Sequence, residues 1–203
     1  LVNSYQKNHI AHAQLFSGTE GSANLALALA YLTYLLCEDK TPEDACGVCA
    51  SCQKIEKLIH PDVHFFFPGP GKGGDNKEKA EKITQQQKVI WREFLTKGSP
   101  YQALEDWSQL VDAENKKTQI SKEDAKNIIR TVSMKSFGGS FKVILIWYPE
   151  MMHPSASNAI LKVLEEPPKD TIYLLVSYNY ESLLTTILSR SQLIQVPNFT
   201  DED

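Results

Sequence analysis

The chain has 203 residues, 42% apolar and 23% charged, with a formal net charge of −4; this length fits one large domain or two small ones, at roughly 100–200 residues per domain, with enough apolar residues for a sizeable core. The charge argues against independent binding of nucleic acid, which would need a basic face to neutralise several phosphates. No apolar run approaches the ~20 residues of a membrane span, and residues 1–8 lack a signal-peptide pattern, so no membrane contact and a cytoplasmic location are expected; the opening Leu1 suggests a start slightly inside the natural chain.

In chain order, Gln14-Leu15-Phe16-Ser17 predicts a first strand that meets Gly18. Residues 24–36 are rich in Ala and Leu without Gly or Pro, which predicts a largely buried helix. Four cysteines follow, and then Val63-His64-Phe65-Phe66-Phe67, a strand-like run closed by Pro68. Residues 69–74 are Gly/Pro-rich and read as a loop with no capacity to form core. Residues 77–110 read as mostly helical, broken by Pro100, with Ile83, Val89, Ile90, Phe94, Leu95, Leu104, Trp107 and Leu110 as the apolar set. This mixed-charge stretch, about 69–118, is taken as an insertion.

Beyond it, residues 121–134 predict a helix with Ser121 as N-cap and Glu123-Asp124 in its first turn. Lys142-Val143-Ile144-Leu145-Ile146-Trp147 predicts a strand covered on both faces. A helix over 154–164, a strand over 171–177, a helix over 181–188 and a strand over 192–196 complete the series. Strands alternating with helices imply a parallel α/β sheet flanked by helices.

The passage from the first strand into its helix, Gly18-Thr19-Glu20-Gly21-Ser22-Ala23-Asn24-Leu25, has the layout of a P-loop. A working P-loop places a Lys against the β/γ-phosphates and a Ser/Thr hydroxyl on Mg²⁺. Here Gly18 and Gly21 are in register, but Asn24 stands at the Lys position and Leu25 at the hydroxyl position. Glu20 adds negative charge where phosphates would lie. The long strand ends in Trp147-Tyr148, where an ATPase places an acidic residue for the metal, and Glu150 comes too late to replace it. The pocket is therefore expected to bind no ATP and to hydrolyse none. Two glycines alone would equally make a tight turn into a helix.

Cys37, Cys46, Cys49 and Cys52 are spaced C-x8-C-x2-C-x2-C. Overlapping C-x-x-C pairs suit four thiolates on one tetrahedral Zn²⁺, a closed structural site spanning about 37–52. His60 reads as a turn residue opening the next strand. Arg190, in Ser189-Arg190-Ser191, reads either as a solvated surface charge or as an arginine finger offered to a neighbour's ATP.

Several segments together carry a resemblance: His12-Ala13-Gln14-Leu15-Phe16-Ser17-Gly18, the cysteine module, His60-Pro61-Asp62, Asn158-Ala159-Ile160-Leu161-Lys162-Val163-Leu164-Glu165-Glu166-Pro167-Pro168 and Thr186-Ile187-Leu188-Ser189-Arg190-Ser191. Their order and spacing resemble the delta-prime subunits of bacterial DNA polymerase III clamp loaders. The resemblance implies a RecA-like AAA+ domain of the P-loop NTPase type over residues 1–203, with the zinc module inserted after its first helix and the lid and collar domains beyond this chain. It implies a non-hydrolysing subunit that supports ATP-dependent loading of the sliding clamp onto primed DNA, with gamma/tau and delta subunits as partners. In that pattern Arg190 acts in trans on the adjacent subunit. Asn24, Trp147 and Tyr148 set the chain apart from the ATP-hydrolysing gamma/tau subunits, which it also resembles. Ser191 stands where the family usually has Cys. A gamma/tau-like ATPase and a zinc-dependent nucleic-acid-binding module are the competing expectations.

Overall fold

The structure, a computed structural model, describes residues 1–70, 77–99, 101–111 and 118–199. Seven strands are described: β1 (Ala13–Ser17), β2 (Val63–Phe66), β3 (Gly69–Pro70), β4 (Thr118–Gln119), β5 (Lys142–Trp147), β6 (Thr171–Ser177) and β7 (Gln192–Gln195). Eight helices accompany them: α1 (Val2–Gln6), α2 (Asn24–Leu36), α3 (Ala50–Glu56), α4 (Lys77–Lys97), α5 (Leu104–Leu110), α6 (Lys122–Ser133), α7 (Pro154–Glu165) and α8 (Thr185–Leu188).

The central sheet is parallel, in the order β2-β5-β6-β1-β7. Its inner strands β1, β5 and β6 are buried along their whole length, as their unbroken apolar runs require. Side chains alternate between two cores because successive Cβ atoms point to opposite faces. Val143, Leu145 and Trp147 join α2, α4 and α5 on one face, through Leu25, Leu32, Trp91, Phe94 and Trp107. Ile144 and Ile146 join α6 and α7 on the other, through Ile128 and Ile160.

Helix α2 is apolar nearly all round because it lies between the sheet and other elements, with Leu25, Ala28, Leu32 and Leu35 fully buried. Helix α6 begins as its sequence predicts. Ser121 Oγ accepts from Asp124 N, and the Asp124 carboxylate accepts from Ser121 N at 2.9 Å, a reciprocal cap.

Three expectations need correction. Gly69–Pro70 is not loop but strand, paired antiparallel with Thr118–Gln119; a glycine fits there because a Cβ would sit 2.8 Å from Gln87 Nε2. The remainder of the predicted loop, and Pro100, lie outside the described residues. The 77–110 stretch is mostly helical, as expected, with a break between Lys97 and Leu104; Trp91, Phe94 and Trp107 are buried, Ile90, Leu95 and Leu104 pack against them, and Val89 and Leu110 are exposed. Residues 181–188 do not form one helix: Leu183 and Leu184 are extended between a 3-10 turn and α8, because buried Leu183 is drawn into the core below. Helices α1 and α3 lie in segments for which the sequence predicts none. Among the described residues no helix is long and apolar enough to cross a membrane.

Candidate functional site

The turn from β1 into α2 is shaped by Gly21, which takes a left-handed φ of +85° open to glycine without strain. Gly18 is needed for space, since a Cβ there would lie 2.4 Å from Asn24 Oδ1 and 2.8 Å from the Val196 carbonyl. Asn24, at the position of a phosphate-binding Lys, does not face outward. It is fully buried, its Nδ2 donates to the Ser177 carbonyl at 2.9 Å, and its Oδ1 accepts from Ser22 Oγ at 2.7 Å. The side chain thus ties the start of α2 to the end of β6.

The mouth of the same turn is spanned from β5. Tyr148, held at φ +53°, donates its hydroxyl to Glu20 Oε1 at 2.8 Å. Its ring stacks on Tyr178 at 4.5 Å between centroids, and Trp147 Nε1 donates to the Tyr178 hydroxyl at 3.3 Å. Burial, reinforced by the Glu20 carboxylate, pushes the Tyr148 phenol far above its ordinary pKa, so it stays a neutral donor. Burial likewise pushes Tyr178 up to about 12. Glu150 is occupied elsewhere: its Oε1 accepts from the backbone N–H groups of Tyr178 and Asn179 at 2.8 and 3.0 Å. An aromatic clasp therefore lies where an ATPase keeps its metal-binding acid. The sequence locates Tyr148 and Glu20 but gives no sign of their contact, and it carries no signal for Tyr178 or Ser177.

The four cysteine sulfurs lie within 4.8 Å of one another, with Cys37 and Cys46 at 3.5 Å and Cys37 and Cys49 at 4.0 Å. Tetrahedral Zn²⁺ with Zn–S of ~2.3 Å sets its sulfurs about 3.8 Å apart, so the cluster fits the ion. Backbone N–H groups of Cys46, Cys49 and Cys52 donate to the sulfurs of Cys37, Cys46 and Cys49 at 3.3–3.4 Å. Such donors stabilise thiolates. Burial opposes ionisation of Cys49, yet hydrogen bonds from the backbone of Cys52 and Glu38 and from the Cys52 and Cys46 thiols bring its pKa down to about 6; Cys52, buried and bonded to Cys49 and Cys37 as a thiol, is raised to about 12. All four thiols are free of disulfides.

His60 stands apart from this cluster. Its Nδ1 accepts from Asp62 N at 3.2 Å, which leaves Nε2–H to donate to Ser51 Oγ at 2.9 Å, linking α3 to the start of β2. Asp62, almost fully buried, accepts from Phe137 N and Gly139 N at 2.7 and 3.0 Å. The His60-Pro61-Asp62 segment is therefore an architectural clamp, a role with no sequence signature beyond the Pro-Asp turn.

Arg190 lies at the opposite end of the sheet from the Gly18 turn. Gln192, the first residue of β7, is in parallel register with Gln14 at the start of β1, whereas Gly18 follows the end of β1. It immediately precedes edge strand β7. Its Nη2 pairs with Glu165 Oε1 at 2.7 Å, and its Nη1 donates to the Thr186 carbonyl at 2.9 Å.

A five-stranded parallel sheet flanked by helices, with a glycine-bearing turn between β1 and α2, has the α/β layout of P-loop proteins. A family profile described as "DNA polymerase III, delta subunit" matches residues 1–200, and the chain belongs to that family, among its delta-prime-like members. It is 30% identical to the DNA polymerase III subunit delta' of Escherichia coli over 95% of this chain and 44% of that protein. The corresponding figures for subunit delta' of Bacillus subtilis are 28%, 96% and 44%. Subunit tau of Escherichia coli is 29% identical over 94% of this chain and 22% of its own length. The chain thus spans less than half the length of these relatives.

Proposed function

We propose that this chain is the nucleotide-silent subunit of a bacterial clamp loader. It supports ATP-dependent loading of the sliding clamp onto primed DNA beside gamma/tau and delta subunits in the cytoplasm. It takes no ATP in its own degenerate loop of Gly18, Gly21 and Asn24. Zn²⁺ on Cys37, Cys46, Cys49 and Cys52 has a structural part only. Arg190 works in trans, its guanidinium stabilising the charge that develops on a neighbour's γ-phosphate.

The observation that carries this reading is the inward turn of Asn24 onto the Ser177 carbonyl beneath the Tyr148–Glu20 contact. A phosphate site needs an outward cation and a metal ligand; here the first is replaced by a buried amide and the second by aromatic rings. The separation of Arg190 from its own loop supports action on another subunit. Calorimetric titration of the full-length protein with Mg·ATP tests the silent loop, with no heat of binding expected up to millimolar nucleotide. Reconstitution with its ATPase subunits tests the finger: Arg190→Ala is expected to lower clamp-stimulated ATPase by 10³-fold or so, the order seen for arginine fingers. The similarity to a tau subunit favours one competitor, a nucleotide-binding clamp-loader ATPase. Micromolar Mg·ATP affinity would establish that alternative instead.

A further inference from the structure

A finger that works in trans must wait on the surface until a neighbour arrives, and a long side chain does not keep one pose unaided. A free arginine side chain samples many rotamers. In this structure it is already held. Nη2 meets Glu165 Oε1 at 2.7 Å, while Nη1 donates to the Thr186 carbonyl at 2.9 Å and to Ser189 Oγ at 3.2 Å. A third of the side chain's surface remains open to solvent, so the guanidinium is anchored without being covered.

The anchor is itself fixed. Glu165 is the last residue of α7, and its neighbour Leu164 presents a carbonyl to His12 Nε2 at 2.9 Å. His12 in turn accepts from Tyr173 N through its own carbonyl at 2.7 Å, which locks the end of the helix to the sheet between β1 and β6. Pro167 and Pro168 then prevent continuation of α7. The segment Leu164-Glu165-Glu166-Pro167-Pro168 thereby delivers one carboxylate to a set place beside Arg190. Its neighbour Glu166 is exposed and forms no ion pair with a described residue.

Resting on the trans-acting role proposed above for Arg190, we infer that Glu165 is its positioning residue, holding the guanidinium at the β7 edge in the pose from which it meets the neighbouring subunit's phosphate. A pre-oriented donor loses little freedom at the moment of reaction, which is where electrostatic stabilisation gains its force. The ion pair is half exposed, so it adds little to folding; its effect belongs to turnover.

Full-length protein reconstituted with its ATPase subunits tests this. Glu165→Ala lowers the kcat of ATP hydrolysis roughly three- to fivefold, the scale of an exposed ion pair, and leaves KM for ATP in place. Glu165→Gln, which keeps an acceptor oxygen at the same reach, restores most of the rate. Glu166→Ala behaves as wild type, and Glu165→Ala adds nothing once Arg190 is already Ala. A kcat that is unchanged or raised by Glu165→Ala, while Arg190→Ala still lowers it, overturns the positioning role alone. An equal loss from Glu165→Ala in the Arg190→Ala background overturns it as well, by showing an effect that does not pass through the arginine. If Arg190→Ala itself changes nothing, the trans-acting role has failed, and the anchor with it.

Discussion

Asn24 shows how one side chain can close a site that its backbone still outlines. Its amide donates to the Ser177 carbonyl at the end of an inner strand, and removing it leaves that buried acceptor only the longer bond from Gly18 N at 3.4 Å. Asn24→Ala is therefore expected to cost about 1–3 kcal/mol in urea unfolding. Gly18→Ala should cost a similar ~1–3 kcal/mol by overpacking, since two of the three atoms nearest the new Cβ are a buried amide oxygen and a backbone carbonyl. His64 supplies a pH signal. Burial, then the charges of Lys142 and Lys88, bring its pKa down from 6.5 to about 4 against the opposing pull of Asp62. The unfolded chain then takes the proton first, so this contribution to stability is complete above pH 6.5 and lost as pH falls toward 4. His64→Gln should flatten the pH dependence of the urea midpoint within that window; an unchanged slope would remove His64 as its source.

Among the elements, the cysteine module is the one whose stability is expected to depend on a ligand. Its four sulfurs close a short loop between α2 and α3, segments too small to fix that loop by apolar packing. With zinc at a thousandfold its dissociation constant, binding adds ~4 kcal/mol to folding. Stripping the metal should lower Tm by about 8–16 °C for a chain of this size. One zinc released per chain, read with a chromogenic chelator, is the matching stoichiometry; a metal-free protein of equal Tm would dismiss a structural ion. The α4–α5 pair is anchored differently. Trp107 is fully buried and its Nε1 donates to the Pro68 carbonyl at 2.6 Å, while Phe67, Trp91 and Phe94 surround its ring. That aromatic cluster makes the stretch part of the core rather than an appended surface insertion.

For the molecule as a whole, one sheet serves two cores. Leu145 faces the α2 side and Ile144 the α6 side, both fully buried on the same strand. Leu145→Ala and Ile144→Ala should each cost about 2–5 kcal/mol. Both should shift one shared transition, with circular dichroism and tryptophan fluorescence superimposed. Separate transitions for the two variants would mean that the faces unfold independently.

The parallel α/β class, the inner strands over residues 142–147 and 171–177, helix α2 and the Ser121 cap were legible in the sequence. Each is dictated by local chemistry: unbroken apolar runs, an Ala/Leu stretch without breakers, and a serine three residues before an aspartate. The cysteine cluster was legible for the same reason, because C-x-x-C turns place sulfurs together whatever surrounds them. The inward pose of Asn24, the Tyr148–Glu20 contact, the Asp62 clamp and the Glu165–Arg190 pair join residues 153, 128, 77 and 25 positions apart at the extreme. Strand order alone decided those encounters, since only packing of the sheet brings such distant carbonyls, carboxylates and donors within hydrogen-bonding reach.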